Sequence, residues 1–169
     1  MNKKQKFQKG FTLIELVIYI GILSILLAAM TTLFSSIVDV QLDSTSTSSV
    51  NQDGRYLLSK LLYDVKSSSA IVTPATPGTP TSTMQITINS INYTYSVNSN
   101  NNLQVVNAST GNTDVLNSYD TSVSGLTFTR IGTGGSSDTV RVSYTLTSRN
   151  TERNNVKETK TFQTTLGMQ

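Results

Sequence analysis

The sequence predicts an α+β protein, one long N-terminal helix packed on a C-terminal antiparallel β-sheet. Three observations lead there. An apolar run with a single charge fills Phe11–Phe34, a helical leucine repeat lies between Leu58 and Val65, and from Met84 the hydrophobic period becomes two. A helix first and strands afterwards, without alternation, is the α+β order.

The first element reads FTLIELVIYIGILSILLAAMTTLF. As a helix it extends ~36 Å, enough to cross a hydrocarbon core of ~30 Å, so its first half is expected to be transmembrane. Its one charge is Glu15, a turn from the start. A charge in hydrocarbon costs about 2.5–3.5 kcal/mol on insertion scales, and it usually marks a partner or a function. Before the run stand Lys3, Lys4, Lys6 and Lys9, with no acidic residue among them. Positive residues in that place stay cytoplasmic, which directs the rest of the chain outside. A secretory signal is the rival reading. Its apolar core is typically ~7–15 residues, with a small-x-small cut after it. Ala28-Ala29-Met30 could serve as such a cut, but Gly10 and Glu15 would then be unexplained.

The helix continues beyond the span. Val38 and Leu42 keep its spacing, and Asp39 and Asp43 share a face. The Ser/Thr run Ser44–Ser49 has weak propensity and is expected to fray or bend. Leu58, Leu61, Leu62 and Val65 then form an apolar stripe, with Arg55, Lys60, Asp64 and Lys66 mostly off it. Gly54 counts against an unbroken rod. Ser67-Ser68-Ser69 and then Pro74, Pro77 and Pro80 end the helix, and Thr73–Ser82 reads as an exposed loop. Strands are expected at Met84–Ile88, Ile91–Val97, Leu103–Val106, Leu126–Ile131, Thr139–Leu146 and Thr159–Leu166. Turns fall at Asn89-Ser90, Ser99–Asn102 and Gly132–Ser137, and Asn150–Asn155 is a connecting loop. Val140, Val142, Tyr144 and Leu146 share one face, and Phe162 and Leu166 lie on the buried side of the last strand. The chain therefore divides into residues 1–10, 11–34, 35–70 and 71–169.

Composition removes several classes of function. The formal charge of +3 belongs to the lysine-rich start, since beyond Gly10 nine Lys/Arg face ten Asp/Glu. The basic balance thus gives no support for nucleic-acid binding. No cysteine is present, so there are no disulfides, thiolate chemistry or cysteine-ligated metal. No histidine is present either, which excludes hydrolase triads built on it. Neither a cofactor nor a metal is expected.

The octet Lys9-Gly10-Phe11-Thr12-Leu13-Ile14-Glu15-Leu16 resembles the processing site of type IV prepilins and type II secretion pseudopilins. The resemblance implies a leader at residues 1–10, cut after Gly10 by a prepilin peptidase that then methylates the new amino terminus at Phe11. Glycine suits a narrow cleft because it permits close approach of the backbone. It further implies that Glu15 pairs with the positive amino terminus of a neighbouring subunit during assembly. A desolvated pair is favourable only when both charges are present, so this would select processed subunits. Tyr19, Gly21, Ser24 and Ala28-Ala29 would suit close packing of such helices. The implied partners are the peptidase, other pilin or pseudopilin subunits, an inner-membrane assembly platform, and lipid before assembly. The implied location is the cytoplasmic membrane, crossed once with the C-terminal domain outside, and then a pilus or pseudopilus. Specific resemblance is confined to the N-terminal segment. The stretch Arg55–Val65 and the closing strands look similar to minor pseudopilins. Many major pilins have a proline in the apolar helix and a C-terminal cysteine pair, both lacking here. A non-enzymatic, minor structural subunit is the expectation.

Asp114, Asp120 and Asp138 suggest calcium, but no D-x-D-x-D-G pattern accompanies them and loop carboxylates are usually solvated. Arg141, Arg149, Arg153, Lys157 and Lys160, interleaved with Tyr144 and Phe162, suggest DNA. Strand alternation places them instead on the solvated side of a hairpin, so nucleic acid is not an expected partner. Gly132–Gly135 lacks the ending of a phosphate loop. The alternatives are a DNA-binding competence pilin and a signal-anchored extracytoplasmic β-rich protein.

Overall fold

A computed structural model describes residues 10–131, 138–150 and 156–168. The leader residues before Gly10, the Gly132–Ser137 turn, and residues 151–155 with Arg153 lie outside the described residues. One helix, α1 (Leu13–Lys66), precedes β1 (Ala70–Thr73), β2 (Pro80–Thr81), β3 (Met84–Ile88), β4 (Ile91–Val97), β5 (Leu103–Asn107), β6 (Thr113–Val115), β7 (Thr121–Arg130), β8 (Thr139–Ser148) and β9 (Thr159–Gly167). The layout is α+β, as expected. The chain resolves into two compact units, Met1–Val40 and Gln41–Gln169.

In the first unit α1 is apolar on every side. Its hydropathy averages 2.5 over the most apolar window, none of which is buried. Such a surface is stable in lipid or against other helices. Several of its hydroxyls are satisfied internally: Ser24 donates to the Ile20 carbonyl at 2.7 Å, Thr31 to Leu27 at 2.9 Å, and Thr32 to Ala28 at 3.0 Å. Each therefore avoids an unpaired polar group in hydrocarbon.

The second unit departs from the single sheet expected. All its pairings are antiparallel, but they form two sheets, ordered β1-β3-β4-β5-β6 and β2-β7-β8-β9. The β3–β4 hairpin turns through Asn89 and Ser90, both with positive φ (50° and 65°), the two-residue geometry that matches strand twist. The strand expected from Leu126 starts earlier, at Thr121. Gly125, at φ +60°, makes a bulge between Ser124 and Thr127 that splits the strand's alternation. One core joins both sheets to α1, with Val50, Leu57, Leu61 and Val65 from the helix meeting Met84, Ile86, Tyr95 and Leu103 from one sheet. Phe128, Val140, Val142, Tyr144, Leu146 and Leu166 come from the other.

The buried helix face differs from the expected stripe. Leu57, Leu61, Asp64 and Val65 are buried, whereas Leu58 is half-buried and Leu62 is 38% exposed. The helix also runs unbroken through Ser44–Ser49. Ser46 and Val50 are fully buried there, so tertiary packing overrides weak propensity. Gly54 does not break the helix. It admits the Phe162 ring, which occupies the place a β-carbon would take. Phe162 stacks on Tyr144 with centroids 5.6 Å apart, and the Tyr144 hydroxyl donates to the Gly54 carbonyl at 2.9 Å.

Two buried aspartates complete this face. Asp53 Oδ2 accepts from Thr121 Oγ1 (2.5 Å), Ser118 Oγ (2.7 Å) and Ser118 N (2.9 Å). Asp64, expected off the buried face, is 4% exposed; it accepts from Tyr95 Oη at 2.5 Å and Lys60 Nζ at 2.8 Å. Between the sheets, Asn117 Oδ1 accepts from Leu103 N at 2.8 Å, and its Nδ2 donates to the Thr121 carbonyl at 3.0 Å. Burial and then the Asp64 hydrogen bond push the Tyr95 ionisation well above its ordinary value of 10.0, and burial alone does so for Tyr144.

Three outcomes follow for the purified chain. Gly54→Ala drives a methyl into the Phe162 ring and should cost about 1–3 kcal/mol in chemical denaturation, in line with overpacked cores. Asp53→Ala orphans the Ser118 and Thr121 donors and should cost about 3 kcal/mol, more than a surface aspartate change. The raised tyrosines add stability that is whole below pH 10.0 and is lost as pH rises above it, because unfolding releases their protons. In an alkaline titration followed by phenolate absorbance, Tyr95 and Tyr144 should ionise only as the fold is lost.

Candidate processing and assembly site

At the N-terminal end, Gly10, Phe11 and Thr12 precede the helix and are exposed. Thr12 caps it: Thr12 Oγ1 accepts from Glu15 N at 3.3 Å, and the Thr12 carbonyl accepts from Leu16 N at 3.2 Å. The Gly10–Phe11 bond therefore lies just outside the regular hydrogen bonding of α1. A β-carbon built on Gly10 would meet nothing within 4 Å. Among the described residues, nothing in the chain's own packing requires glycine at this position.

Phe11 is 72% exposed. Its ring meets Tyr19 edge-on, with centroids 5.8 Å apart and planes at 71°. Glu15 is the half-buried residue in this stretch, and its Oε1 accepts from Tyr19 Oη at 3.3 Å. Thr12-Leu13-Ile14-Glu15 has the spacing of a capping box, a signal that the sequence offered and that the reading above did not use. The Tyr19–Glu15 bond was legible too, as an i, i+4 pair.

Among the described residues, the basic C-terminal group does not assemble into a nucleic-acid surface. Arg149, expected in solvent, is half-buried and committed: Nε donates to the Thr121 carbonyl at 2.9 Å, and Nη2 to the Asn100 carbonyl at 2.8 Å and Asn102 Oδ1 at 2.9 Å. Lys160 donates to Asn51 Oδ1 at 2.7 Å and lies 5.5 Å from the Phe162 ring centre. Arg141 and Lys157 are exposed. Tyr144 is fully buried and Phe162 lies over Gly54, so neither ring offers a free face for a base.

The three aspartates weighed for calcium are dispersed. Asp114 lies in β6 rather than a loop, Asp120 in a turn, and Asp138 pairs with Arg130. Among the described residues no group of three metal-ligating side chains occurs. The second unit does contain a cleft of about 570 Å³ where Tyr56, Lys60, Tyr63, Asp64, Tyr93 and Tyr95 converge. It gathers four of the chain's seven tyrosines, although the Asp64 carboxylate is already engaged by Lys60 and Tyr95.

Residues 5–31 match the family model described as the prokaryotic N-terminal methylation motif. No curated protein and no solved structure gives a significant match to the chain. The motif and the single apolar helix fit a single-pass, membrane-anchored protein. The chain thus carries the prepilin-type signal at the head of an α+β fold.

Proposed function

We propose that this chain is a minor structural subunit of a type IV pilus or type II secretion pseudopilus. In this reading residues 1–10 are a leader, 11–34 the transmembrane and assembly segment, 35–70 the soluble half of the helix, and 71–169 the sheet domain. A prepilin peptidase cuts between Gly10 and Phe11 and methylates the Phe11 amine. The processed helix then leaves the lipid for a bundle of its own kind, on an assembly platform in the cytoplasmic membrane.

The single observation that carries the proposal is the pairing of the methylation motif with an apolar stretch of α1 whose most apolar window is not buried among the described residues. A helix of that surface has two stable settings, lipid and other helices, and a filament subunit must occupy both in turn. Gly10 adds support, because among the described residues nothing gives a steric reason for a glycine there. Glu15 supports the assembly step. Its carboxylate is the one acidic group in Phe11–Phe34, and the cation to meet it is the amine that cleavage would create.

The test is the intact mass of the full precursor expressed with and without a prepilin peptidase. The peptidase should remove Met1–Gly10 and add one methyl group. An uncut chain, or a cut after Ala29, would overturn the reading. Gly10→Ala should leave the folded second unit unchanged and slow cleavage by about two orders of magnitude, the scale on which misplaced reacting groups cost rate. Glu15→Gln should be cut and methylated normally yet fail to enter filaments.

A further inference from the structure

Glu15 stands three residues after the Thr12 cap, where a glutamate ordinarily turns back to the N–H of the cap residue. Thr12 makes its half of that arrangement. Glu15 does not make the other half. Its Oε1 accepts instead from Tyr19 Oη at 3.3 Å, one turn further along the helix, and this is the carboxylate's one hydrogen bond among the described residues. Tyr19 is in turn braced by the edge-on ring of Phe11. The residue bearing the future amino terminus, the carboxylate and the phenol thus follow one another at intervals of four along one face.

We propose that Tyr19 is a positioning residue for Glu15: its hydroxyl holds Oε1 and leaves Oε2 free for the cationic amino terminus of a second, processed copy. This rests on the Glu15 pairing in the reading above. A phenol suits the task because it donates a hydrogen bond without supplying a charge. A lysine at 19 would satisfy the carboxylate within the chain and remove the incentive to pair. The bond is longer than the roughly 2.5–3.0 Å usual for O–H···O, so it sets direction while leaving most of the charge unmet. Within Phe11–Phe34 the ionisable groups are Glu15, Tyr19 and the amine that cleavage would create, and the same set faces Glu15 from any neighbouring copy.

The test compares the processed full-length chain with its Tyr19→Phe and Glu15→Gln variants in phospholipid vesicles. Self-association is followed by energy transfer between labelled copies as a function of protein-to-lipid ratio. Peptidase cleavage of each variant, read by mass, shows that insertion is intact. Tyr19→Phe keeps the ring and its contact with Phe11, so any change is due to the hydroxyl. Without the hydroxyl nothing holds Oε1 in place, so Tyr19→Phe should weaken association about tenfold in the wild-type background and change nothing in the Glu15→Gln background. If Tyr19→Phe reproduces the wild-type profile while Glu15→Gln loses association, the positioning role is overturned and the Glu15 pairing survives. If Glu15→Gln associates as the wild type does, the pairing fails and the role of Tyr19 with it.

Discussion

The second unit depends on a carboxylate placed where its chain passes from one sheet to the other. Asp53 projects from α1 into the connection between β6 and β7 and takes three donors from Ser118 and Thr121 on a single oxygen. A charge this buried is tolerable only when it is well satisfied, and hydrogen bonds to charged groups contribute about 1.5–3 kcal/mol each. The bonds do more than neutralise. They set the position at which β7 starts, next to Asn117, which ties the same connection to Leu103 of β5. Arg149, at the far end of β8, closes the network on Thr121 and Asn102. Two sheets that share no ladder are thereby held in one relation to the helix.

The two parts of α1 solve opposite problems. From Gln41 onward one face is committed, with Val50, Gly54, Leu57 and Leu61 in contact with sheets and Tyr56 and Tyr63 outside. Gly54 is the closest approach, since only hydrogen there leaves room for Phe162. Before Val40 no face is committed, and Leu13, Ile14 and Ile25 are all more than two-thirds exposed. The first surface is specific to this chain. The second is generic, as the proposed passage from lipid to a bundle of copies would require.

How much of this was legible depended on whether a residue's setting was local. The apolar run, the β3–β4 hairpin at Asn89-Ser90 and the alternation of Val140, Val142, Tyr144 and Leu146 are carried by near neighbours in sequence, and they emerge as read. The division into two sheets does not. It is made by β7, whose opening Thr-Ser-Val-Ser-Gly is polar, broken by a bulge, and stabilised by Asp53 from far along the chain. The short strands β1, β2 and β6 form because a longer partner is already in place, which no local pattern announces. Asp64 is the clearest case. As an isolated aspartate beside Lys60 it reads as a solvated i, i+4 pair, and only Tyr95, from a strand beyond the proline loop, explains its burial.

Three acidic residues of α1 can be ranked by how fully they are satisfied. Asp53 has three donors, Asp64 a tyrosine and a lysine, and Glu15 one tyrosine at a longer distance. The first two are answered by donors within the second unit. Glu15 lies where solvation is poorest once the helix is in lipid, and it has the least internal compensation. A carboxylate left in that state lowers its free energy most by meeting a cation, and the composition of Phe11–Phe34 supplies none. The deficit is local to one turn of helix, and in the proposed function it is met by the charge that processing would create. On that reading folding and assembly rest on the same chemistry, satisfied carboxylates, the one completed within the chain and the other left to a neighbour.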